Sequence, residues 1–479
     1  MVKSYDSIFI NGKWVAPSST ERIAVINPAT EEVCAHVPAA KEADIDRAVA
    51  AAREAFDSGP WPRLSVGERV RWIRKLSEGL GARRDELTTT ITTELGCPIS
   101  ASMISQAFPP TLVLDKYAEI AESFSFEETR QGLLGQVLVL TEPVGVCGLI
   151  VPWNFPISII TFKLGAALAA GCTNVIKSAP ETPLDAYLLA EVCDEIGFPK
   201  GVINIVAANR SESEHLVRHP GVDKVSFTGN SQVGRHIASL CGQQLKRCSL
   251  ELGGKSAAIV LEDANPGAVS FGLVQAGLLN AGQACAAQTR LLLPKKRYEE
   301  YLDALAGVIG GMPCGDPMDP STQVGPLVAE RQRDRVTGYI DIGKSEGARI
   351  VVGGGRPKGL PKGWYVEPTL LANVHNHMRV AREEIFGPVL VAIPYESEAE
   401  AIGIANDNDY GLSGSVWTAD KAHGVDIARK VRTGTYNVNG FTIDFGAPFG
   451  GFKASGIGRE FGPEGITSYT ESKSIAIFD

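Results

Sequence analysis

The chain has no C-x-x-C pair, no internal repeat, no low-complexity tract and no excess of basic residues. Its nine cysteines are scattered at positions 34, 97, 147, 172, 193, 241, 248, 285 and 314. An odd count at that spacing argues against a disulfide framework or a thiolate zinc site, and for a reducing compartment. Lys and Arg number 46 against 55 Asp and Glu, a net charge of −9, which disfavours a general nucleic-acid or anionic-membrane binder. The opening residues, Met1-Val2-Lys3-Ser4-Tyr5-Asp6, do not join a basic stretch to an apolar one, so no signal peptide is expected. The most apolar stretch, Phe162 to Ile176, is broken by glycines and too short to span a bilayer. No membrane association and a cytoplasmic location are the resulting expectations.

A chain of 479 residues exceeds what one hydrophobic core serves, so two or three domains are expected. Residues 40–57 and 66–95 read as amphipathic helices; in the first, Ile45, Val49, Ala52 and Phe56 recur at helical spacing. From residue 144 the pattern changes. Short apolar runs at 144–151, 173–177, 202–206, 224–227 and 247–250 read as strands, separated by helix-like runs at 157–170, 183–196, 210–218 and 231–242. This alternation predicts an α/β fold built on a Rossmann-like parallel sheet covered on both faces. Such a sheet binds ligands outside the carboxyl ends of its strands, where Asn154, Lys177, Thr228 to Asn230 and Glu251 all fall. A second alternating block, about 256 to 450, predicts another α/β domain, with an apolar helix ahead of Cys285. Gln136–Glu142 and Lys473–Phe478 fit neither block and read as edge strands that need covering or pairing.

Three residues are candidates for reaction chemistry. Cys285 ends Asn280-Ala281-Gly282-Gln283-Ala284-Cys285, where small neighbours let a substrate and backbone amides approach. Most cysteines are inert core fillers, and the other eight are read so. Glu251 stands in Leu250-Glu251-Leu252-Gly253-Gly254-Lys255; it is either a solvated turn residue or a carboxylate against an apolar wall, whose raised pKa suits a general base. Asn154, in Pro152-Trp153-Asn154-Phe155-Pro156, is either a helix cap or an amide donor to an oxyanion. Together a thiol, a carboxylate and an amide are the minimum set for covalent chemistry at a carbonyl. His375-x-His377, read as lying in a loop, is taken as solvated rather than metal-binding, and no metal is expected. No G-x-G-x-x-G follows the first strand; instead Phe227-Thr228-Gly229-Asn230-Ser231 joins a strand to a helix whose N-terminus favours an anion.

These segments, with Glu383-Glu384-Ile385-Phe386-Gly387-Pro388, the tail Pro448-Phe449-Gly450-Gly451-Phe452-Lys453 and Ser455-Gly456, resemble the aldehyde dehydrogenase superfamily over nearly the whole chain. The resemblance implies a cofactor-binding domain over 1–122 and 143–251, a catalytic domain over 252–456 carrying Cys285, and a small β oligomerisation element over 123–142 and 457–479. It implies NAD as cofactor, with NADP as the alternative, and a homodimer or homotetramer. Thr228, Gly229, Asn230 and Val233 would serve the pyrophosphate, with Asn230 where a serine is usual. Lys177 would contact the adenosine ribose. Pro180 stands where a ribose-binding glutamate is often found, with Glu181 one place later, which leaves the choice between the two cofactors open. Glu384 would hold the nicotinamide ribose and Phe386 would pack on the nicotinamide, with Ile150, Trp153, Leu252 and Gly253 in the same cleft. Phe155, Phe162, Ile443 and Phe445 are candidates for the substrate tunnel. The implied reaction oxidises an aldehyde to the free acid through a Cys285 thiohemiacetal and thioester, with Glu251 activating water. The alternatives are a cofactor-free thiol esterase, a CoA-acylating enzyme that would not need Glu251, and a binding protein with a dead site.

Overall fold

The computed structural model describes residues 2–478. The first alternating block forms a sheet of eight strands, in the spatial order Gly456–Ile457, Arg247–Glu251, Lys224–Thr228, Val146–Ile150, Thr173–Ser178, Ile203–Ala207, Ile8–Ile10 and Lys13–Val15. The five central strands are parallel. Both of their faces are apolar because both are covered. Cys147 and Leu149 pack with the helices Pro156–Ala170 and Leu184–Glu195, whereas Val146 and Ile150 pack with the helices Glu42–Asp57, Arg210–Arg218 and Ser231–Gln243.

The order of these strands creates a crevice. From Val146–Ile150 the chain lays two strands to one side, then returns to lay Lys224–Thr228 and Arg247–Glu251 on the other. Connections therefore leave the carboxyl ends of Val146–Ile150 and Lys224–Thr228 in opposite directions, and the gap between them is where this architecture binds ligands.

The second block forms a seven-stranded sheet ordered Arg349–Val352, Thr369–Ala372, Val389–Tyr395, Arg290–Pro294, Ala257–Val260, Gly414–Trp417 and Asn437–Val438, parallel except for the first pair. Glu251 ends a strand of the first sheet and Ala257 begins a strand of the second, so the short segment between them bridges the two sheets. A third sheet pairs Thr470–Phe478 with Gly135–Pro143 and that strand with Glu127–Gln131, all antiparallel.

Three features differ from the sequence reading. Gly135–Pro143, expected as an edge strand, is the central strand of the third sheet, because Thr470–Phe478 and Glu127–Gln131 pair with it on either side. The helix expected over 66–95 is two helices, Val66–Ala82 and Arg84–Leu95. The chain turns at Arg83, whose guanidinium is anchored to Glu86, Glu191 and Glu195, and this redirects the second helix across Leu184–Glu195. The strands Ile8–Ile10 and Lys13–Val15 extend the first sheet unanticipated. Their turn, Asn11-Gly12, has φ of 55° and 67°, the hairpin chemistry an Asn-Gly pair favours.

Candidate active site

Asn154 follows the strand Val146–Ile150 and is 2% exposed. It does not cap the next helix: Phe155 holds the cap position, without a side-chain bond. Instead, the Asn154 Nδ2 donates to the Gln283 carbonyl at 2.9 Å, which ties it to the loop carrying the thiol. That loop is shaped by three consecutive left-handed residues, Asn280, Ala281 and Gly282, at φ of 52°, 53° and 71°. A Cβ at Gly282 would stand 2.0 Å from the Gly387 carbonyl oxygen, so glycine is required there by contact as well as by φ.

Cys285 is half-buried in the cleft. Burial, with Glu384, Glu251 and Glu460 adding negative charge nearby, pushes its thiol up to about 12 against a small opposing effect of the Ala286 N–H. Glu251, at the carboxyl end of the strand Arg247–Glu251, is 3% exposed, and neither carboxylate oxygen has a hydrogen-bond partner among the described residues. Burial and then Glu460 hold its carboxyl well above the usual range, partly offset by Lys163 and Arg459. A free, buried carboxyl with a raised pKa is suited to taking a proton.

Lys163 and Glu460 adjoin the candidate site and were absent from the sequence reading. They form a buried ion pair at 2.6 Å, and both act electrostatically on Glu251. The available signal was a lysine inside the most apolar helix of the chain, Pro156–Ala170, where it is fully buried. A buried lysine requires a partner, although its identity, 297 residues away, is not written locally.

The cleft at the crevice is a chamber of about 510 Å³. Its wall includes Trp153, Asn154, Thr228, Gly229, Asn230, Gly253, Cys285, Glu384 and Phe386. The Trp153 and Phe386 rings meet edge to face at 5.4 Å, bringing a first-sheet loop against a residue of the second block. Phe386 sits at φ of 64°, a strained conformation for an aromatic residue, and the Gln332 Nε2 holds its carbonyl at 2.7 Å. Glu384 accepts the Gly254 N–H at 3.0 Å, and burial raises its carboxyl to about 7.

An adjoining chamber of about 620 Å³ shares Trp153, Thr228, Gly229 and Asn230, and adds Ile150, Lys177 and Val233. Lys177 is buried, which brings its amine down to about 8. Pro180 and Glu181 also line this chamber, and Glu181 is ion-paired with Arg331 of the helix Glu330–Ser345. Asn230 caps the helix Ser231–Gln243 by accepting the Val233 N–H at 2.9 Å, so its Nδ2 is left to donate. Leu252 differs from the sequence reading. It is 4% exposed, packs against Gly234 in the core and lines neither chamber.

Phe155, Phe162, Ile443 and Phe445 pack against the core cluster that Cys285 also borders. Phe162 lies 5.9 Å from Phe445 and 4.7 Å from Phe461, ring centre to ring centre. Phe461, which directly follows Glu460, was not anticipated. Among the described residues no group of three or more His, Cys, Asp or Glu side chains could hold a metal ion.

Two adjoining chambers, meeting at a strand–helix junction where the Asn230 Nδ2 is left to donate, suit a dinucleotide. The aromatic pair and buried carboxylate at one end and the amine-bearing apolar chamber at the other match its two unlike halves.

Comparison with known proteins gives one answer. The family model described as "Aldehyde dehydrogenase family" matches residues 14–475. The geranial dehydrogenase of Castellaniella defragrans is 48% identical over 477 residues, covering 99% of each chain. The 3-succinoylsemialdehyde-pyridine dehydrogenase of a Pseudomonas species is 41% identical over 478 residues, again covering 99% of each. A Mycobacterium tuberculosis aldehyde dehydrogenase, crystallised with NAD+, superimposes with a TM-score of 0.98 at 47% identity, covering 100% of this chain and 99% of that one.

Proposed function

The chain belongs to the aldehyde dehydrogenase family, and from that premise we propose that Cys285, Asn154 and Glu251 together oxidise an apolar aldehyde to its carboxylic acid. Cys285 forms the covalent bond to the aldehyde carbon. It attacks as the thiolate, the form that burial disfavours, so the attack is favoured as pH rises. The Asn154 amide and the Cys285 N–H receive the oxyanion of the thiohemiacetal. The two chambers would hold NAD, which would supply the oxidising power as a hydride acceptor. Glu251 then takes a proton from water, which attacks the thioester and frees the acid. Lys163 and Glu460 set the charge felt by Glu251.

In this reading Thr228, Gly229, Asn230 and Val233 hold the pyrophosphate, and Lys177 and Ile150 face the adenosine half. Glu384, Phe386, Trp153 and Gly253 hold the nicotinamide half. NADP is the alternative cofactor. Pro180 leaves the ribose edge without a carboxylate of its own, and Glu181 is engaged by Arg331. Phe155, Phe162, Ile443 and Phe445 line neither chamber but pack with Cys285 against the same core cluster, and as tunnel residues in this reading their apolar character favours aliphatic or aromatic aldehydes over charged ones. The observation that carries the reading is the shared chamber: the thiol, the Asn154 amide and the Glu384–Phe386 pair face one space. A panel of aldehydes with NAD and with NADP, followed by absorbance of the reduced nicotinamide, tests it. Turnover of apolar aldehydes without added CoA is expected; activity only with CoA would overturn the hydrolytic step.

The domain limits follow the same reading: cofactor binding over 1–122 and 143–251, catalysis over 252–456, and self-association through 123–142 and 457–479. A homodimer or homotetramer in the cytoplasm completes it. Among the described residues no helix is long and apolar enough to cross a membrane.

A further inference from the structure

The segment from Ile99 to Ser123 is helical but irregular. The helix Ile99–Ser102 passes into a single π turn, Met103–Ala107, before the helix Pro109–Ser123. The Phe108 N–H reaches back five residues to the Met103 carbonyl at 3.2 Å. Pro109 and Pro110 account for this. Neither has an N–H, and the Pro109 ring would collide with the carbonyl four residues earlier, so the turn widens. Pro110 would otherwise have served the Gln106 carbonyl. That carbonyl is satisfied from another helix, by the Ser158 Oγ at 2.9 Å.

The widened turn directs Gln106 inward. Its side chain is fully buried, and its Nε2 donates to the Asn154 main-chain carbonyl at 2.9 Å. The same carbonyl accepts a second bond, from the Asn280 Nδ2, also at 2.9 Å. Asn154 is thus gripped from both sides by side-chain amides, while its own Nδ2 donates to Gln283. One grip comes from the loop of the thiol, the other from the π turn. The exposed apolar residues Met103, Ile104 and Phe108 lie on that same turn and its exit.

We propose that Gln106 is a positioning residue for the oxyanion donor: its amide fixes the Asn154 backbone, and thereby the direction in which the Asn154 side chain presents its second N–H. This rests on the reading of Asn154 given above. A donor works in proportion to how well it is already aimed, so a loss of grip is read as a loss of rate rather than of cofactor binding.

The test is a double-mutant cycle in the full-length protein with Gln106→Met and Asn154→Ala, measuring kcat/KM for one apolar aldehyde and KM for NAD. Gln106→Met keeps the length of the side chain and removes the donor. A fall of about tenfold in kcat/KM is expected, the effect of one aimed hydrogen bond, with KM for NAD unchanged. In the Asn154→Ala background the same change should cost less than about twofold: residue 154 keeps the carbonyl that Gln106 grips, but the side-chain donor that the grip aims is gone. An equal loss in both backgrounds, or no loss with Asn154 present, overturns the proposal. No loss in Asn154→Ala alone would instead overturn the role of Asn154. Should Gln106→Met fail to fold, Gln106→Glu retains the shape. Its acid can donate to the Asn154 carbonyl only when protonated, so its activity relative to the parent should rise as pH falls; a ratio independent of pH overturns the proposal.

Discussion

At the scale of single residues, the site is governed by desolvation. Cys285 and Glu251 are both held above their ordinary pKa values, and burial is the largest cause for each. Both act in their deprotonated forms, so kcat/KM is expected to rise with pH, along a limb lying above the ordinary carboxylate range. A rate that falls as pH rises from neutrality would contradict this. Cys285→Ala should reduce aldehyde-dependent NADH formation by on the order of 10⁴ or more, with NAD binding by fluorescence titration retained. Glu251→Gln should leave the first turnover fast and the following ones slow. Stopped-flow absorbance would then record a burst of NADH, and equal slowing of both phases would remove Glu251 from the hydrolytic step.

At the scale of elements, two features carry predictions. The loop Leu279–Gly282 turns through three left-handed residues to deliver Cys285. Gly282→Ala adds about 1–2 kcal/mol of backbone strain and a Cβ 2.0 Å from the Gly387 carbonyl, so Cys285 must move. Activity should fall by at least about tenfold, since an ångström of misplacement costs that much or more, while thermal unfolding shifts by only a few degrees. The other feature is a buried carboxyl pair where the helices Arg84–Leu95 and Leu184–Glu195 meet. Glu94 and Asp185 are both fully buried, and Glu94 takes the Leu184 N–H at 2.9 Å. Burial raises Asp185 to about 8, against about 3.9 for an unfolded aspartate. The folded state therefore binds a proton that the unfolded chain releases first, and stability falls as pH rises between these values. Asp185→Asn removes that dependence. Its melting temperature relative to the parent should be higher at pH 8 than at pH 5, and a constant difference would contradict the pairing.

At the scale of the whole molecule, the third sheet is the least self-sufficient part. Thr470–Phe478 lies at its edge with Ile477 51% and Phe478 70% exposed, and Leu133 and Leu134 protrude at the hairpin tip. A strand with one open edge and exposed apolar side chains invites another chain. A second copy of this protein as the occupant makes Ile477→Asp a dissociating change. Light scattering coupled to size exclusion should report a smaller mass for that variant, and an unchanged mass would count against this edge as an interface between copies.

What could be read in the sequence follows from what is local. Alternating apolar strands and helices from residue 144 required a parallel sheet covered on both faces, because apolar positions on both sides of each strand must be buried. The Gly-Gln-Ala-Cys and Glu-Leu-Gly-Gly segments offered a thiol and a carboxylate by residue type, but their roles were legible only through the resemblance to the family. The break at Arg83 was hidden because it depends on acids about 110 residues away in Leu184–Glu195. Lys163 with Glu460, and Gln106 with Asn154, were hidden for the same reason: a side-chain partner has no period and no fixed spacing. Sequence determined the layers and the reacting groups; only tertiary packing decided which buried charges and amides surround them, because desolvation and hydrogen-bond direction exist only once distant segments meet.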